Sequence, residues 1–227
     1  MTDFTMKTDA DGVATITWDV KGKSMNVLSL EGWGDLDTLV DQALADDAVK
    51  GIVITSGKDT FAGGMDLNII AKMKASAGDN PAKGLFDGLM NSHAILRKIE
   101  RAGIDAKTNK GGKPIAAALP GTAAGIGLEL PLATHRIFAA DNAKAKIGFP
   151  EIMVGIFPGA GGTTRLTRML GAMAASPYLL QAKMVNPTKA KQAGLIHEVS
   201  ADPMADARDW VLSEPKIVKP WDEKGYK

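Results

Sequence analysis

Residues 114–130 read Pro-Ile-Ala-Ala-Ala-Leu-Pro-Gly-Thr-Ala-Ala-Gly-Ile-Gly-Leu-Glu-Leu, and this stretch decides the fold class. Its first part, 114–119, is a short apolar run that predicts a buried strand. The glycines after it predict a tight turn, and the apolar residues from Ile126 onward predict a short helix that contains Glu129. A strand that leads through a glycine turn into a helix is typical of α/β proteins.

The same order of strand, glycine turn and helix recurs along the chain. Residues 51–56 predict a buried strand, followed by a glycine turn at 61–66 and a helix near 67–74. Strands at 136–140 and 145–149 precede a turn at 158–162 and a helix over 163–170, after which helical segments run to about residue 194. The other predicted elements are a strand at 13–19, a helix over 29–46 capped by Ser29, a helix over 83–101 and a strand at 195–200.

Composition excludes several classes of function. The 227 residues contain 27 Lys and Arg against 26 Asp and Glu, a net charge of +1, which argues against a nucleic-acid binder driven by bulk charge. Cysteine is absent, which excludes disulfides, Cys-based zinc sites and a thiol nucleophile. No apolar run is long enough for a membrane span, and the polar N-terminus is unlike a signal peptide, so we expect a cytoplasmic protein.

Two glutamates stand beside glycine turns in apolar surroundings. Glu129 lies in Gly-Leu-Glu-Leu-Pro, and Glu151 follows Ile-Gly-Phe-Pro. An unpaired buried carboxylate is costly and titrates at higher pH, which suits it to acid–base chemistry. Each residue alone also fits a simpler role, since a carboxylate that reaches solvent or lies at a helix N-terminus is common.

The glycine turns at 63–66 and 125–127 each lead from a strand into a helix. Free backbone N–H groups at a helix start bind anions, and two such starts that face one pocket would form an oxyanion hole. Tight packing of strand against helix is the alternative explanation for any single turn.

Other site motifs are missing. Gly125-x-Gly127 is followed by Leu130 where a dinucleotide fingerprint requires glycine, Gly161-Gly162 lacks the lysine of a phosphate-binding loop, and no G-x-S-x-G is present. The three histidines show no metal-ligand spacing and are expected to be core or surface residues; they are His93, His135 and His197.

Three ordered motifs resemble the enoyl-CoA hydratase/isomerase (crotonase) family. They are Phe-Ala-Gly-Gly-Met-Asp-Leu at 61–67, Gly-x-x-x-Gly-x-Gly-Leu-Glu-Leu at 121–130, and the stretch from Ile-Gly-Phe-Pro-Glu at 147–151 to Thr-x-Arg-Leu at 163–166. The likeness covers about residues 5–200 and implies the crotonase (ClpP-like) fold, in which repeated ββα units wind into a superhelix.

The end of the chain, Lys-Pro-Trp-Asp-Glu-Lys-Gly-Tyr at 219–226, resembles multifunctional fatty-oxidation enzymes. In those, a hydratase domain precedes a 3-hydroxyacyl-CoA dehydrogenase. We therefore expect a hydratase-like domain over 1–200, and over 201–227 a helix near 204–212 with an extended, linker-like tail, the dehydrogenase domain being absent.

The resemblance also implies roles for individual residues. Glu129 and Glu151 would be the catalytic acid/base pair, and the backbone N–H groups of Met65 and Ile126 would bind the thioester oxygen. The residues implied in binding CoA or substrate are Met25, Ala62, Gly63, Gly64, Asp66, Leu67, Gly125, Gly127, Pro150 and Gly155. Two positions depart from the family, which has alanine at 65 and a third glycine at 126, so the larger side chains are expected to narrow or block the acyl channel.

Three functions stay open at this point. One is hydration of 2-trans-enoyl-CoA to 3-hydroxyacyl-CoA in β-oxidation, another is isomerisation of 3-enoyl-CoA, and a third is non-catalytic binding of acyl-CoA. The ligand implied is an acyl-CoA thioester, with no metal and no separate cofactor. The partners implied are further copies of the chain or the thiolase subunit of a fatty-oxidation complex.

Overall fold

The computed structural model describes residues 2–65 and 80–226, which form an α/β domain. The strands are β1 (Phe4–Thr8), β2 (Val13–Trp18), β3 (Gly51–Ser56), β4 (Ile115–Leu119), β5 (Ala123–Ala124), β6 (Arg136–Ala140), β7 (Ile147–Gly148) and β8 (Glu198–Ser200). The α-helices are α1 (Leu30–Ala45), α2 (Pro81–Arg101), α3 (Ile126–Ala133), α4 (Gly162–Leu170), α5 (Ala172–Leu180), α6 (Pro187–Gln192) and α7 (Pro203–Leu212). Two short 3-10 turns cover Glu151–Val154 and Pro220–Asp222.

The strands form a large and a small sheet. The large sheet has the order β1-β2-β3-β4-β6-β8 and is parallel except for β1, which pairs antiparallel with β2. The small sheet contains β5 and β7, also parallel. Two β-strands and a helix therefore repeat, first as β4-β5-α3 and then as β6-β7-α4, with one strand of each unit in each sheet.

Alternating side chains of the parallel strands enter two separate cores. Ile52 and Ile54 of β3 belong to the larger core with residues of α1, α2 and α3, while Val53 points to the smaller core on the other face. Because both faces are covered, β4 is apolar throughout and β3 is apolar up to Thr55, as their sequences predict.

Most predicted elements are confirmed, and the differences occur in short or polar strands. Ser29 caps α1 by accepting from the Gly32 N–H at 2.9 Å. β1 was missed because its sequence, Phe-Thr-Met-Lys-Thr, is polar and lies at a sheet edge. The strands predicted at 145–149 and 195–200 are shorter, β7 and β8. The helix predicted near 67–74 lies outside the described residues.

The helix expected near 204–212 is confirmed as α7, while the tail after it, which was expected to be linker-like, contains the buried residues Ile217 and Lys219. Helix α7 packs on the outer face of the large sheet, and its Ala207 and Val211 are buried in the smaller core. That core contains Val13, Val53, Ala116, Ala118, Phe138, Ala207 and Val211. Helix α7 therefore covers apolar strand faces that would otherwise contact water.

No helix among residues 2–65 and 80–226 is long and apolar enough to cross a membrane.

We expect the contact between β3 and α7 to be revealed by Gly51→Ala. A Cβ at Gly51 would lie 2.6 Å from the Val211 Cβ, so the variant should lose about 1–3 kcal/mol in the free energy of unfolding. Val211→Gly, which removes both the Cβ and the Cγ2 atom that would lie 2.8 Å away, should relieve this cost, giving a favourable coupling of about 1 kcal/mol in a double-mutant cycle measured by urea denaturation. As a control, Gly34→Ala on the exposed side of α1 should be neutral or stabilising, since nothing lies near its added methyl. Additive effects of the two changes would contradict this packing.

Candidate active site

The loop at 61–65 is anchored by a buried asparagine. The side chain of Asn26 donates to the Trp18 and Phe61 carbonyls at 2.9 and 3.0 Å and to the Ser56 hydroxyl at 2.9 Å. Its backbone carbonyl accepts from the Gly63 N–H at 2.9 Å. The end of β2, the end of β3 and the glycine loop are thereby joined at one residue.

The two glycine turns lie side by side in parallel. Ala62 pairs with Ala123, and the Ala124 N–H donates to the Ala62 carbonyl at 3.0 Å. The contact continues to the next residues, since a Cβ at Gly125 would lie 3.6 Å from the Gly64 Cα. The backbones are in close contact, since a Cβ at Gly127 would lie 2.8 Å from the Ala62 carbonyl oxygen.

Gly125 links the turn to the second glutamate. Its backbone (φ 58°, ψ −124°) is one that side-chain-bearing residues rarely adopt, and a Cβ there would lie 2.9 Å from Oε1 of Glu151. The Gly125 N–H donates to the Gly148 carbonyl at 3.1 Å, which adds β7 to the parallel arrangement. Glycine at 125 therefore permits the Glu151 carboxyl to lie against the turn.

Two backbone N–H groups at this place lack acceptors within the part of the chain that the structure describes. Ile126 is the first residue of α3, whose N-cap Gly125 has no capping side chain, and its N–H has no partner. The Met65 N–H likewise has none among these residues, although the neighbouring Gly64 carbonyl accepts from Leu28. The arrangement can therefore offer two donors to an oxygen atom of a ligand.

Glu129 is held deep inside the domain, with 2% of its surface exposed. Its Oε1 accepts from the Gly162 N–H at 2.8 Å, at the first residue of α4. Burial raises the pKa of the Glu129 carboxyl to about 8; the Gly162 N–H opposes this shift, and the charge of Glu151 adds to it. At neutral pH, Glu129 is therefore mostly protonated.

Glu151 begins the 3-10 turn that follows β7. Its Oε2 is buried and has no hydrogen-bond partner among the described residues. Burial raises the pKa of this carboxyl to about 7. The charge of Glu151 contributes to the raised pKa of Glu129, so the two carboxyls lie within electrostatic range of each other. Such a pair can donate one proton and accept another.

The remaining predicted site residues divide into those gathered at the turns and those outside the described region. Met25 contacts Gly63, because a Cβ at that glycine would lie 2.3 Å from the Met25 sulfur. Pro150 immediately precedes Glu151, and Gly155 ends its 3-10 turn in the left-handed conformation. Asp66 and Leu67 lie outside the described residues. The residues brought together are Met25, Ala62, Gly63, Gly64, Met65, Gly125, Ile126, Gly127, Glu129 and Glu151. Pro150 and Gly155 are near the site only as chain neighbours of Glu151, and Gly155 is exposed.

Three supporting groups were missed by the sequence analysis. They are Asn26, the Gly162 N–H, and the buried pair of Arg165 with Glu100, whose Nε···Oε1 distance is 3.0 Å. A signal existed for Gly162, because the glycine turn at 158–162 was predicted to open a helix and such helix starts bind carboxylates. No signal in the sequence pairs Arg165 with Glu100, which is 65 residues away.

The histidines have structural partners. The Nδ1 atoms of His135 and His197 accept from the Ile115 and Ile137 N–H groups, and burial lowers their pKa values to about 3 and about 4. His93 contacts the Gly159 carbonyl through Nε2 at 2.6 Å. Within residues 2–65 and 80–226, no three acidic or histidine side chains are grouped so as to hold a metal ion.

Comparison with known proteins places this arrangement in context. Residues 8–214 match the family described as enoyl-CoA hydratase/isomerase. The chain is 34% identical over 197 residues to the fatty acid oxidation complex subunit alpha of Shewanella oneidensis, covering 86% of this chain and 26% of that protein. It thus spans about a quarter of the length of the curated relatives it matches.

Solved structures match over nearly the whole chain. An enoyl-CoA hydratase from Thermoplasma volcanium is 27% identical, with a TM-score of 0.76 and coverage of 97% of this chain and 79% of that one. An enoyl-CoA hydratase from Geobacillus kaustophilus is 26% identical, with a TM-score of 0.75 and coverage of 94% and 73%.

We expect Glu129→Gln to stabilise the protein increasingly as pH rises. The carboxyl has a pKa of about 8 in the fold but 4.5 ordinarily, so ionisation favours the unfolded state above pH 4.5 and wild-type stability falls toward pH 8. The gain of Glu129→Gln over wild type should grow from pH 5 to 8 and exceed about 1 kcal/mol, measured by urea denaturation.

Glu198→Gln is the matched control with the opposite sign. Its partners Lys191 and Arg136 lower the Glu198 pKa, so the wild-type carboxylate stabilises the fold above about pH 4.5 and loses that effect in acid. This variant should show no gain at pH 8. A Glu129→Gln profile parallel to that of wild type would contradict a raised pKa at Glu129.

Proposed function

Because the chain belongs to the enoyl-CoA hydratase/isomerase family, we propose that it hydrates 2-trans-enoyl-CoA thioesters to 3-hydroxyacyl-CoA in fatty-acid β-oxidation. The family and the crotonase fold expected from the motifs are both confirmed. The observation that carries the proposal is the placement of the buried Glu129 and the half-buried Glu151 beside the turns that bear the Met65 and Ile126 N–H groups, which have no partner among the described residues.

In the proposed reaction, the two N–H groups donate to the thioester oxygen. Water adds to the β-carbon, and negative charge develops on that oxygen as an enolate forms. An N–H donor aimed at such an oxygen is worth about 2.7–4 kcal/mol of transition-state stabilisation. Because the donors are backbone groups at the start of α3 and in the anchored loop, they need little reorganisation.

The glutamate pair supplies the proton transfers. The ionised carboxyl takes a proton from the attacking water, and the protonated carboxyl gives its proton to the α-carbon. The pair ends with the same number of protons as at the start, so the net change is addition of one water molecule. Raised pKa values near 7 and 8 suit both steps at neutral pH.

The larger residues at the turns are compatible with turnover. Ile126 is 2% exposed and belongs to the larger core, and Met65 packs against that core. Neither residue is proline, so each position keeps the backbone N–H that the proposed oxyanion site requires.

The proposal extends to ligand and partners. The chemistry requires an acyl-CoA thioester and no separate cofactor. Relatives are named as the alpha subunit of a fatty acid oxidation complex, which supports assembly with further subunits of such a complex. The proposed partners are copies of the chain or a thiolase subunit, and the proposed location is the cytoplasm.

The glutamates can be tested by Glu129→Gln and Glu151→Gln, which keep shape but remove proton transfer. Hydration of crotonyl-CoA, followed by loss of enone absorbance, should fall at least about 100-fold in each variant. Glu198→Gln should retain wild-type activity. Full hydratase activity in Glu151→Gln would contradict the paired mechanism, and accompanying 3-enoyl-CoA isomerisation would favour the one-glutamate isomerase.

The oxyanion donor can be removed by Ile126→Pro, because proline lacks an N–H and is tolerated at the first position of a helix. We expect kcat to fall by about 100- to 1000-fold. Ile126→Val keeps the N–H while removing a methylene, and should retain most of the activity. Equal activity in the proline and valine variants, both shown to be folded by circular dichroism, would exclude this N–H from catalysis.

A further inference from the structure

The residues after α7 fold back onto the helices that surround Glu129. Lys219 is 8% exposed, and its ammonium donates to the Thr134 carbonyl at 2.6 Å and more weakly to the Leu132 carbonyl at 3.4 Å. Both carbonyls lie at the C-terminal end of α3, the helix that bears Glu129. A cation is favoured there because the last carbonyls of a helix lack intrahelical donors.

Asp222 fastens the same segment to α2. Its carboxylate accepts from both terminal nitrogens of Arg97, at 2.9 and 2.5 Å, and lies 3.7 Å from Arg101. Its carbonyl accepts from the Asn109 side chain at 2.8 Å. Trp221 lies between Lys219 and Asp222 in the sequence. Its ring lies 5.7 Å from the Arg168 guanidinium of α4 and 5.5 Å from the Lys219 ammonium.

Further ion pairs link Asp222 to α4, the helix whose first residue donates to the Glu129 carboxyl. Arg97 also pairs with the buried Glu100 at 2.6 Å, and Glu100 pairs with Arg165 of α4 at 3.0 Å. The first N–H of α4, at Gly162, is the donor to the Glu129 carboxyl. Lys219 therefore contacts the helix that bears Glu129, while Asp222 is linked to the helix whose N-terminus binds it.

Helix α3 depends on such support. It has eight residues, all of them buried, and it contains Pro131, which supplies no N–H. A helix this short has little stability of its own, so its orientation is set by packing and by the groups at its ends. A buried lysine is itself costly, and burial lowers the pKa of Lys219 to about 8.

We propose that Lys219 and Asp222 are positioning residues that hold α3 and α4 in the geometry required at Glu129. This inference rests on the proposed hydratase activity. The segment that resembles a linker in sequence thus acts as a clamp on the active site, while neither residue touches the substrate.

The experiment compares Lys219→Met and Asp222→Asn with Lys216→Met in the full chain. Lys216 is the matched control, because it lies in the same segment but is 74% exposed and pairs only with Glu223 among the described residues. At a temperature where all variants are folded, we expect kcat for crotonyl-CoA to fall about 10-fold or more in the first two, with little change in KM, since small displacements of catalytic groups are costly. Lys219→Arg, which keeps the donors, should recover most of the lost kcat.

A second readout does not need turnover. Glutamate labelled with 13C at the carboxyl, with the Glu129 signal assigned by its loss in Glu129→Gln, gives the titration of that residue by NMR. Loosening of α3 should admit water and move the Glu129 midpoint downward in Lys219→Met and Asp222→Asn, but not in Lys216→Met. An effect on stability alone would leave the midpoint of the folded protein unchanged.

The outcomes separate the two proposals. Absence of turnover in the wild type would overturn the proposed function. The Glu129 titration alone would then decide whether Lys219 and Asp222 position α3 and α4. Wild-type kcat and an unchanged midpoint in both folded variants would overturn the clamp. If Lys219→Met and Asp222→Asn both fail to fold while Lys216→Met folds, the positioning role is also overturned. Lys219 and Asp222 would then serve only the stability of the fold.

Discussion

Three backbone segments run side by side in parallel at the site, with no room for side chains between them. The loop at 62–65, the start of α3 after β5, and the residues after β7 are joined through Ala62, Ala123 and Gly148. Close approach of the backbones leaves the N–H groups of Met65 and Ile126 without partners among the described residues. It also brings the Glu151 carboxyl against Gly125. The glycines are thus required by backbone contact, and the chemistry of the site follows from that contact.

The carboxyls that suit this site to catalysis lower the stability of the fold. The buried Glu129 and the half-buried Glu151 both have raised pKa values, and the buried Oε2 atom of Glu151 has no partner among the described residues. The rest of the domain offsets this cost through a two-sided core and through buried polar contacts, including those of Asn26 and the pair of Arg165 with Glu100. The same contacts hold the site rigid, which is what a preorganised oxyanion site requires.

Elements with strong local signals were predicted well from the sequence. The apolar strand β3, the capped helix α1 and the glycine-led helix α3 all formed as expected, because short-range pattern and side-chain chemistry determine them. Elements whose stability comes from distant neighbours were predicted poorly. β1 forms by pairing with β2, and the segment after α7 is held by an ion pair and a hydrogen bond that each join residues more than 80 positions apart.

The sequence by itself determined the α/β class, the glycine turns and the two candidate glutamates, because these are properties of local residue type and order. Only the tertiary structure decided that Gly162 donates to Glu129 and that Asn26 anchors the glycine loop. It also decided that Lys219 contacts the end of α3 and that Asp222 contacts α2. Each of these is a contact between residues far apart in the chain. Such contacts depend on how the sheets and helices pack, and no local pattern records that packing.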